Sequence, residues 1–179
     1  MAPKILLLCV MIAGFLGGCH RERRAAPRPP QPAGGIDVYF SPQTDCRKLI
    51  IQQIRAAKER ILVQAYSFTS ERIAKALAEA QRSGVKVTVI VDADKADKKS
   101  EAAYLVRHGV ETYIDSRHDK AHNKVLLIDG RTIVTGSYNF SDNDDVTADN
   151  ILVITEKPKL MEAYEANFRE HLAHSQPAE

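Results

Sequence analysis

Apolar residues along this chain fall into short runs whose spacing switches between two and three-to-four. Residues Ile36 to Phe40 read as a strand, and Cys46, Leu49, Ile50, Ile54 and Ala57 then recur at helical spacing. Ile61 to Phe68 returns to strand. Ser70 is placed to cap a helix with the stripe Ile73, Ala74, Leu77 and Ala80, and Gly84 closes it. The nearly continuous β-branched run Val85 to Val91 predicts a strand covered on both faces. A short helix over 100–108 ends at Gly109, before a strand from Val110 to Ile114. Asp129 and Gly130, between the apolar runs Asn123–Ile128 and Thr132–Thr135, are a hairpin signal. Asn150 to Thr155 is the last strand, and Pro158 opens a terminal helix carrying Leu160, Tyr164, Phe168 and Leu172. Strands alternating with helices, then a hairpin, predict an α/β fold: a mixed, mostly parallel β-sheet with helices on both faces.

The first 35 residues do not fit that pattern. Residues 1–18 carry one charged side chain, Lys4, ahead of the apolar run Ile5 to Leu16. That run is short for a membrane span, which needs about 20 residues, and matches a signal peptide. Gly17 and Gly18 before Cys19 resemble the bacterial lipoprotein processing box, in which Cys19 would be lipidated; ordinary cleavage near Gly18 is the alternative. His20 in place of an aspartate would not signal inner-membrane retention in a Gram-negative cell. The expected location is therefore the periplasm, or the outer membrane facing it. Residues 19–35, rich in proline and arginine, read as an extended linker. Residues 36–179 are the expected folded domain, long enough to bury a core without staples.

Composition narrows the chemistry. The 179 residues are 44% hydrophobic and 27% charged, as a folded protein requires. Lys plus Arg number 25 against 23 Asp plus Glu, a net charge of +2, which excludes gripping a polyanion by bulk charge. An anionic substrate needs a local constellation. Cys9, Cys19 and Cys46 are too few for a disulfide scaffold, so Cys46 is expected to be a buried thiol.

Such a constellation lies between residues 122 and 149. His122 and Lys124 are two apart on a strand entry and share a face, as do Ser137 and Asn139. Hairpin closure brings the two pairs together, gathering imidazole, ammonium, hydroxyl and carboxamide. Those groups suit a phosphodiester: Lys124 as a point charge for phosphoryl oxygens, Ser137 and Asn139 as neutral donors, and His122 as nucleophile or acid–base. Asp149, on the entry to the last strand, is the acid available to orient the imidazole.

His122, Lys124, Asp129, Gly136, Ser137 and Asn139, at these intervals, resemble the signature of the phospholipase D superfamily. Ala65 to Thr69 followed by Ile73 to Leu77 resembles the first half of its small bacterial single-motif endonuclease branch. The resemblance implies the phospholipase D/nuclease-like α/β/α sandwich. It further implies that His122 attacks phosphorus, giving a phosphohistidine that water hydrolyses, with no metal and no other cofactor. Lys124 and Asn139 would bind phosphate with Ser137 assisting, and Asp129 and Asp149 would complete the catalytic set. Asp149 stands where the branch usually has a glutamate, one methylene longer, so its hydrogen bond to the histidine would be re-aimed, weakened or bridged by water. Asp129 is odd-numbered relative to His122, and its spacing assigns it to orienting the turn.

Two-step phosphoryl chemistry needs a nucleophile on one side of phosphorus and an acid on the other. Larger relatives carry two motifs in one chain and this sequence has one, which predicts a two-fold homodimer with one His122 from each copy. The leading expectation is an exported, metal-independent endonuclease with little sequence preference, cleaving DNA and, through the same bond, RNA. A phospholipase D-type lipid phosphodiesterase acting on phosphatidyl groups or cardiolipin, brought to the membrane through Cys19, is the alternative. A catalytically idle envelope binding module is the third. His118 and His122 are four apart, but their segment is not helical, so zinc is not expected there. Asp142 to Asp145 lacks the glycine and closing glutamate of a calcium loop. The charged stretches Asp94–Lys99 and Arg117–Lys120 are open to two readings, polynucleotide contact or plain solvation.

Overall fold

In the computed structural model the described residues are 35–97, 99–142 and 146–179. The expected signal peptide, Cys19 and all of the linker but Gly35 lie outside them. The chain runs β1 (Ile36–Phe40), α1 (Cys46–Ala56), β2 (Arg60–Ala65), α2 (Glu71–Arg82), β3 (Lys86–Asp92), α3 (Ala102–Arg107), β4 (Glu111–Asp115), β5 (Lys124–Ile128), β6 (Thr132–Gly136), β7 (Asn150–Thr155), α4 (Pro158–His174) and β8 (Gln176–Pro177). Local chemistry sets the ends of these elements. The Ser70 hydroxyl accepts from the Ile73 N–H at 3.3 Å and the Asp45 carboxylate from the Lys48 N–H at 2.7 Å, each satisfying an otherwise unpaired first-turn donor.

All eight strands form one sheet in the order β1-β7-β6-β5-β2-β3-β4-β8. It is mixed, as expected, but the expectation of a mostly parallel sheet is wrong. Only β2–β3 and β3–β4 are parallel; the other five pairings are antiparallel. Helical crossovers α2 and α3 return the chain in the same direction and impose the parallel pairs. Of the antiparallel pairs only β5–β6 is a hairpin; β6–β7 are joined by a long loop, and β1–β7, β2–β5 and β4–β8 join strands distant in sequence. The two-residue β8, which has no periodicity to read, pairs with β4 beyond α4.

Period two divides the core. Val89, Val91, Leu126, Val134 and Val153 face α1, α2 and α3, where Cys46, Ile50, Ile73, Leu77 and Leu105 are buried. Their neighbours Ile90, Val125, Leu127, Ile133 and Ile154 face Met161 and Phe168 of α4. Helices thus cover both faces, with α4 alone on the second. Of the expected α4 stripe, Phe168 is buried and Tyr164 and Leu172 pack half-buried against the same cluster, whereas Leu160 lies on the surface and Met161 is buried instead. Ion pairs of Arg60 with Glu165 and of His171 with Asp115 tie the helix to β2 and β4. Cys46 is fully buried, as expected.

The β5–β6 turn needs left-handed backbone at both Asp129 (φ 53°) and Gly130 (φ 64°), which aspartate tolerates and glycine prefers. The Asp129 carboxylate accepts from three backbone N–H groups, those of Lys58 and Glu59 at 2.8 Å and of Arg60 at 3.0 Å. It fastens the hairpin tip to the start of β2.

Candidate active site

Antiparallel pairing brings the start of β5, the end of β6 and the start of β7 to one edge of the sheet (Val125 opposite Thr135, Gly136 opposite Ile151). The ends of β2, β3 and β4 reach the same edge through Ala65–Lys124, Ala65–Val91 and Asp92–Asp115. His122 sits just before β5, exposed, with its ring 4.3 Å from that of Tyr66. Lys124 opens the strand and is 7% exposed; its ammonium donates to the His122 carbonyl at 3.0 Å and lies 4.9 Å over the Tyr66 ring. Burial lowers the Lys124 pKa, against the opposing pull of the Asp149 and Asp92 carboxylates. His122 is lowered from the ordinary imidazole value first by desolvation, then by the Lys124 and Lys120 ammonium groups, with Asp92 pulling the other way. Lower basicity keeps more of the imidazole in the neutral, nucleophilic form.

Ser137 and Asp149 are joined across β6 and β7. The Ser137 hydroxyl donates to Asp149 Oδ1 at 2.8 Å and accepts the Asn150 N–H at 3.0 Å. The Asp149 carboxylate is therefore aimed at Ser137 and not hydrogen-bonded to His122, contrary to the role expected of it as the group that orients the imidazole. Its position is set by its own backbone, whose N–H donates to Ser41 Oγ at 3.0 Å. Gly136 makes this geometry possible, because a Cβ there would lie 2.1 Å from the Asn150 carbonyl oxygen. The Asn139 carboxamide is half-buried at the same end, its Oδ1 without a hydrogen-bond partner. Asp129 does not belong to the cluster. All five residues of β5 lie between it and His122, roughly 17 Å at about 3.4 Å per residue, and its oxygens are taken by backbone donors.

Sequence reasoning missed two contributors. Asp92 ends β3, is 1% exposed and accepts the Ala121 N–H at 2.6 Å, so it anchors the loop residue next to His122. Its other oxygen has no partner. The available signal was a lone acid closing an otherwise apolar, β-branched strand. Tyr66 supplies the ring against which both His122 and Lys124 rest. From the charged stretches, Lys95 comes within 5.4 Å of that ring and Lys120 acts on His122 through its field. His118, in contrast, turns away from His122 and joins Asp115, His171 and His174.

Residues 50–172, two-thirds of the chain, match the family described as "Cardiolipin synthase, PLD-like domain". The chain belongs to the phospholipase D superfamily. It is 36% identical over 135 residues to the "Phospholipase D" of Rickettsia prowazekii, covering 74% of this chain; the chain spans 65% of that relative's length, just under two thirds. It is 26% identical over 150 residues to the "Mitochondrial cardiolipin hydrolase" of Xenopus laevis, covering 78% of this chain and 71% of that protein. Among solved structures, the phospholipase D family member Nuc from Salmonella typhimurium superposes with a TM-score of 0.76 at 32% identity, covering 80% of this chain and 97% of that one. NucT from Helicobacter pylori shares the fold, with a TM-score of 0.74 at 22% identity over 80% of this chain and 99% of that one. The superfamily resemblance read from the sequence and the α/β fold class are therefore correct.

Proposed function

We propose that the protein is a phosphodiesterase whose preferred substrate is a nucleic-acid backbone, DNA first and RNA by the same chemistry. The observation that carries this reading is an exposed His122 of lowered basicity, set beside the buried Lys124 and bordered by Lys95 and Lys120. A neutral imidazole is a nucleophile, and the surrounding ammonium groups match the negative charge that builds on phosphoryl oxygens in the transition state. An imidazole nitrogen of His122 forms a bond to phosphorus as the P–O bond to the leaving oxygen breaks. That oxygen takes a proton from a second His122. Water, deprotonated by that second imidazole, then attacks phosphorus, and cleavage of the P–N bond restores His122. Lys124 and the Asn139 amide nitrogen hold the non-bridging oxygens, and Ser137, whose single hydroxyl proton goes to Asp149, assists by fixing that carboxylate at the edge of the site.

The second imidazole comes from another copy of the chain. The edge strand β1 supports this: Ile36, Val38 and Phe40, 60%, 50% and 55% exposed, line one face, and Phe40 pairs with Asn150 beside Asp149. An apolar stripe bordering a polar active site is what a self-complementary interface uses. Sedimentation of a monomer with full activity would overturn the shared site. A lipid phosphodiesterase is the second reading, favoured by the names of the relatives above, and lipid-anchored export through Cys19 belongs with either. Radiolabelled-lipid incorporation that is lost in Cys19→Ala tests the anchor. For the substrate, purified protein is incubated in excess chelator, below its melting temperature, with supercoiled plasmid and, separately, with headgroup-labelled phospholipid vesicles. Nicked and linear plasmid that fails to appear with His122→Ala is the expected result. Headgroup release with intact plasmid would overturn the nuclease reading.

A further inference from the structure

Asp115, His118, His171 and His174 each direct one ligand-type atom into a single cluster, all within 4.8 Å of one another. They come from three places. Asp115 ends β4, His118 lies three residues on in the loop that leads to His122, and His171 and His174 occupy the last turns of α4. The return of the chain fixes the arrangement: Gln176 pairs with Ile114, and the Ala178 N–H donates to the Thr112 carbonyl at 2.8 Å, holding the end of α4 over β4.

One carboxylate oxygen is asked to serve three imidazoles. Asp115 Oδ2 lies 2.6 Å from His171 Nδ1, 3.2 Å from His118 Nδ1 and 3.3 Å from His174 Nε2. Asp115 itself is fully buried, and its Oδ1 accepts the Arg117 N–H at 3.0 Å, which pins the carboxylate in place. His174 Nε2 is within ion-pair reach of Oδ2 but misaligned for a hydrogen bond, so it is a buried nitrogen with no hydrogen-bond partner. Leaving a buried polar atom unsatisfied is unfavourable, and a cation at the centre of the four groups would relieve it. The imidazole centroids stand 4.8, 5.2 and 5.4 Å apart. A tetrahedral ion with bonds of about 2.0–2.1 Å has ligand atoms roughly 3.3 Å from each other. Two of the three nitrogen–oxygen distances already sit at that value, and the ligand atoms, all within 4.8 Å of one another, need side-chain rotations that draw the wider pairs inward to complete the shell.

We infer that these four residues bind a zinc-class divalent ion, in a structural site separate from the phosphoryl chemistry. Three imidazole nitrogens and one carboxylate oxygen suit zinc and its first-row neighbours, whereas calcium and magnesium favour oxygen ligands. The ion clasps the end of α4 to β4 and to the 116–123 loop. Because Asp92 fixes Ala121 in that loop, the clasp steadies the backbone that presents His122.

The test uses tag-free protein, stripped with chelator and titrated with zinc chloride by calorimetry and by thermal melting. One zinc per chain and a melting temperature raised by about 5–10 °C at 100-fold excess over Kd are expected. Cobalt chloride should give the intense visible bands of a tetrahedral site. His118→Ala, on the exposed side of the cluster and able to be replaced without a core cavity, should weaken zinc binding at least tenfold, as should His174→Gln, while His122→Ala should bind as wild type. Absence of stoichiometric binding, wild-type affinity in both His118→Ala and His174→Gln, or loss of zinc in a folded His122→Ala would overturn the assignment.

Discussion

Asp129→Ala separates a structural aspartate from a chemical one within the motif. The substitution removes three charge-assisted acceptor contacts to the N–H groups of Lys58, Glu59 and Arg60. A hydrogen bond to a charged group contributes about 1.5–3 kcal/mol when enclosed. Two of these three contacts are exposed, so water replaces much of what is lost, and only the Arg60 contact is partly buried. Alanine is also disfavoured at φ 53°, a left-handed conformation that aspartate tolerates better. Together these effects come to about 2–4 kcal/mol of stability, or a fall in melting temperature of roughly 5–12 °C for a domain of this size. Because the hairpin tip is the far end of β5 from His122, turnover per folded molecule should stay within a few-fold of wild type well below that temperature. Circular dichroism melts and plasmid-nicking rates, measured on the same preparation, read the two effects separately. A variant that melts like wild type yet loses activity as completely as His122→Ala would refute this account of Asp129.

Other perturbations report on the site directly. Gly136→Ala would place its Cβ 2.1 Å from the Asn150 carbonyl oxygen, so β6 and β7 must part by roughly 1 Å; the expected result is a melting temperature lowered by several degrees with activity reduced at least tenfold, and an unchanged melt would contradict it. Lys124→Met keeps the buried stem but removes the charge beside His122, and should cut kcat by about 10²–10³ with little change in stability; near-normal kcat would remove Lys124 from the phosphoryl site. His122 titrates below the ordinary imidazole value, and activity needs the neutral form, so the acid limb of the rate profile should lie below pH 6.5. Lys120→Ala takes away a positive charge that disfavours protonation, so the His122 pKa rises and the limb moves to higher pH; a limb that stays put or moves down would show that Lys120 does not act there.

The elements of this protein were readable because their causes are local. Period-two runs, the Ser70 cap and the Asp129–Gly130 turn act over a few residues, and all appear where the spacing predicts, to within a residue or two at most ends. The cluster of His122, Lys124, Ser137 and Asn139 was legible for the same reason, since each pair is two apart and the hairpin that joins them is short. Relations between distant segments were not. Strand order made the sheet mainly antiparallel, and the register of β6 against β7 gave Asp149 to Ser137. The end of β3 brought Asp92 beneath the loop carrying His122, and the docking of α4 brought His171 and His174 to Asp115, 56 residues away in the case of His171. A side chain's face follows from its neighbours in sequence. Its partner follows from which strands pair and how each helix is rotated, and those depend on the packing of the whole core.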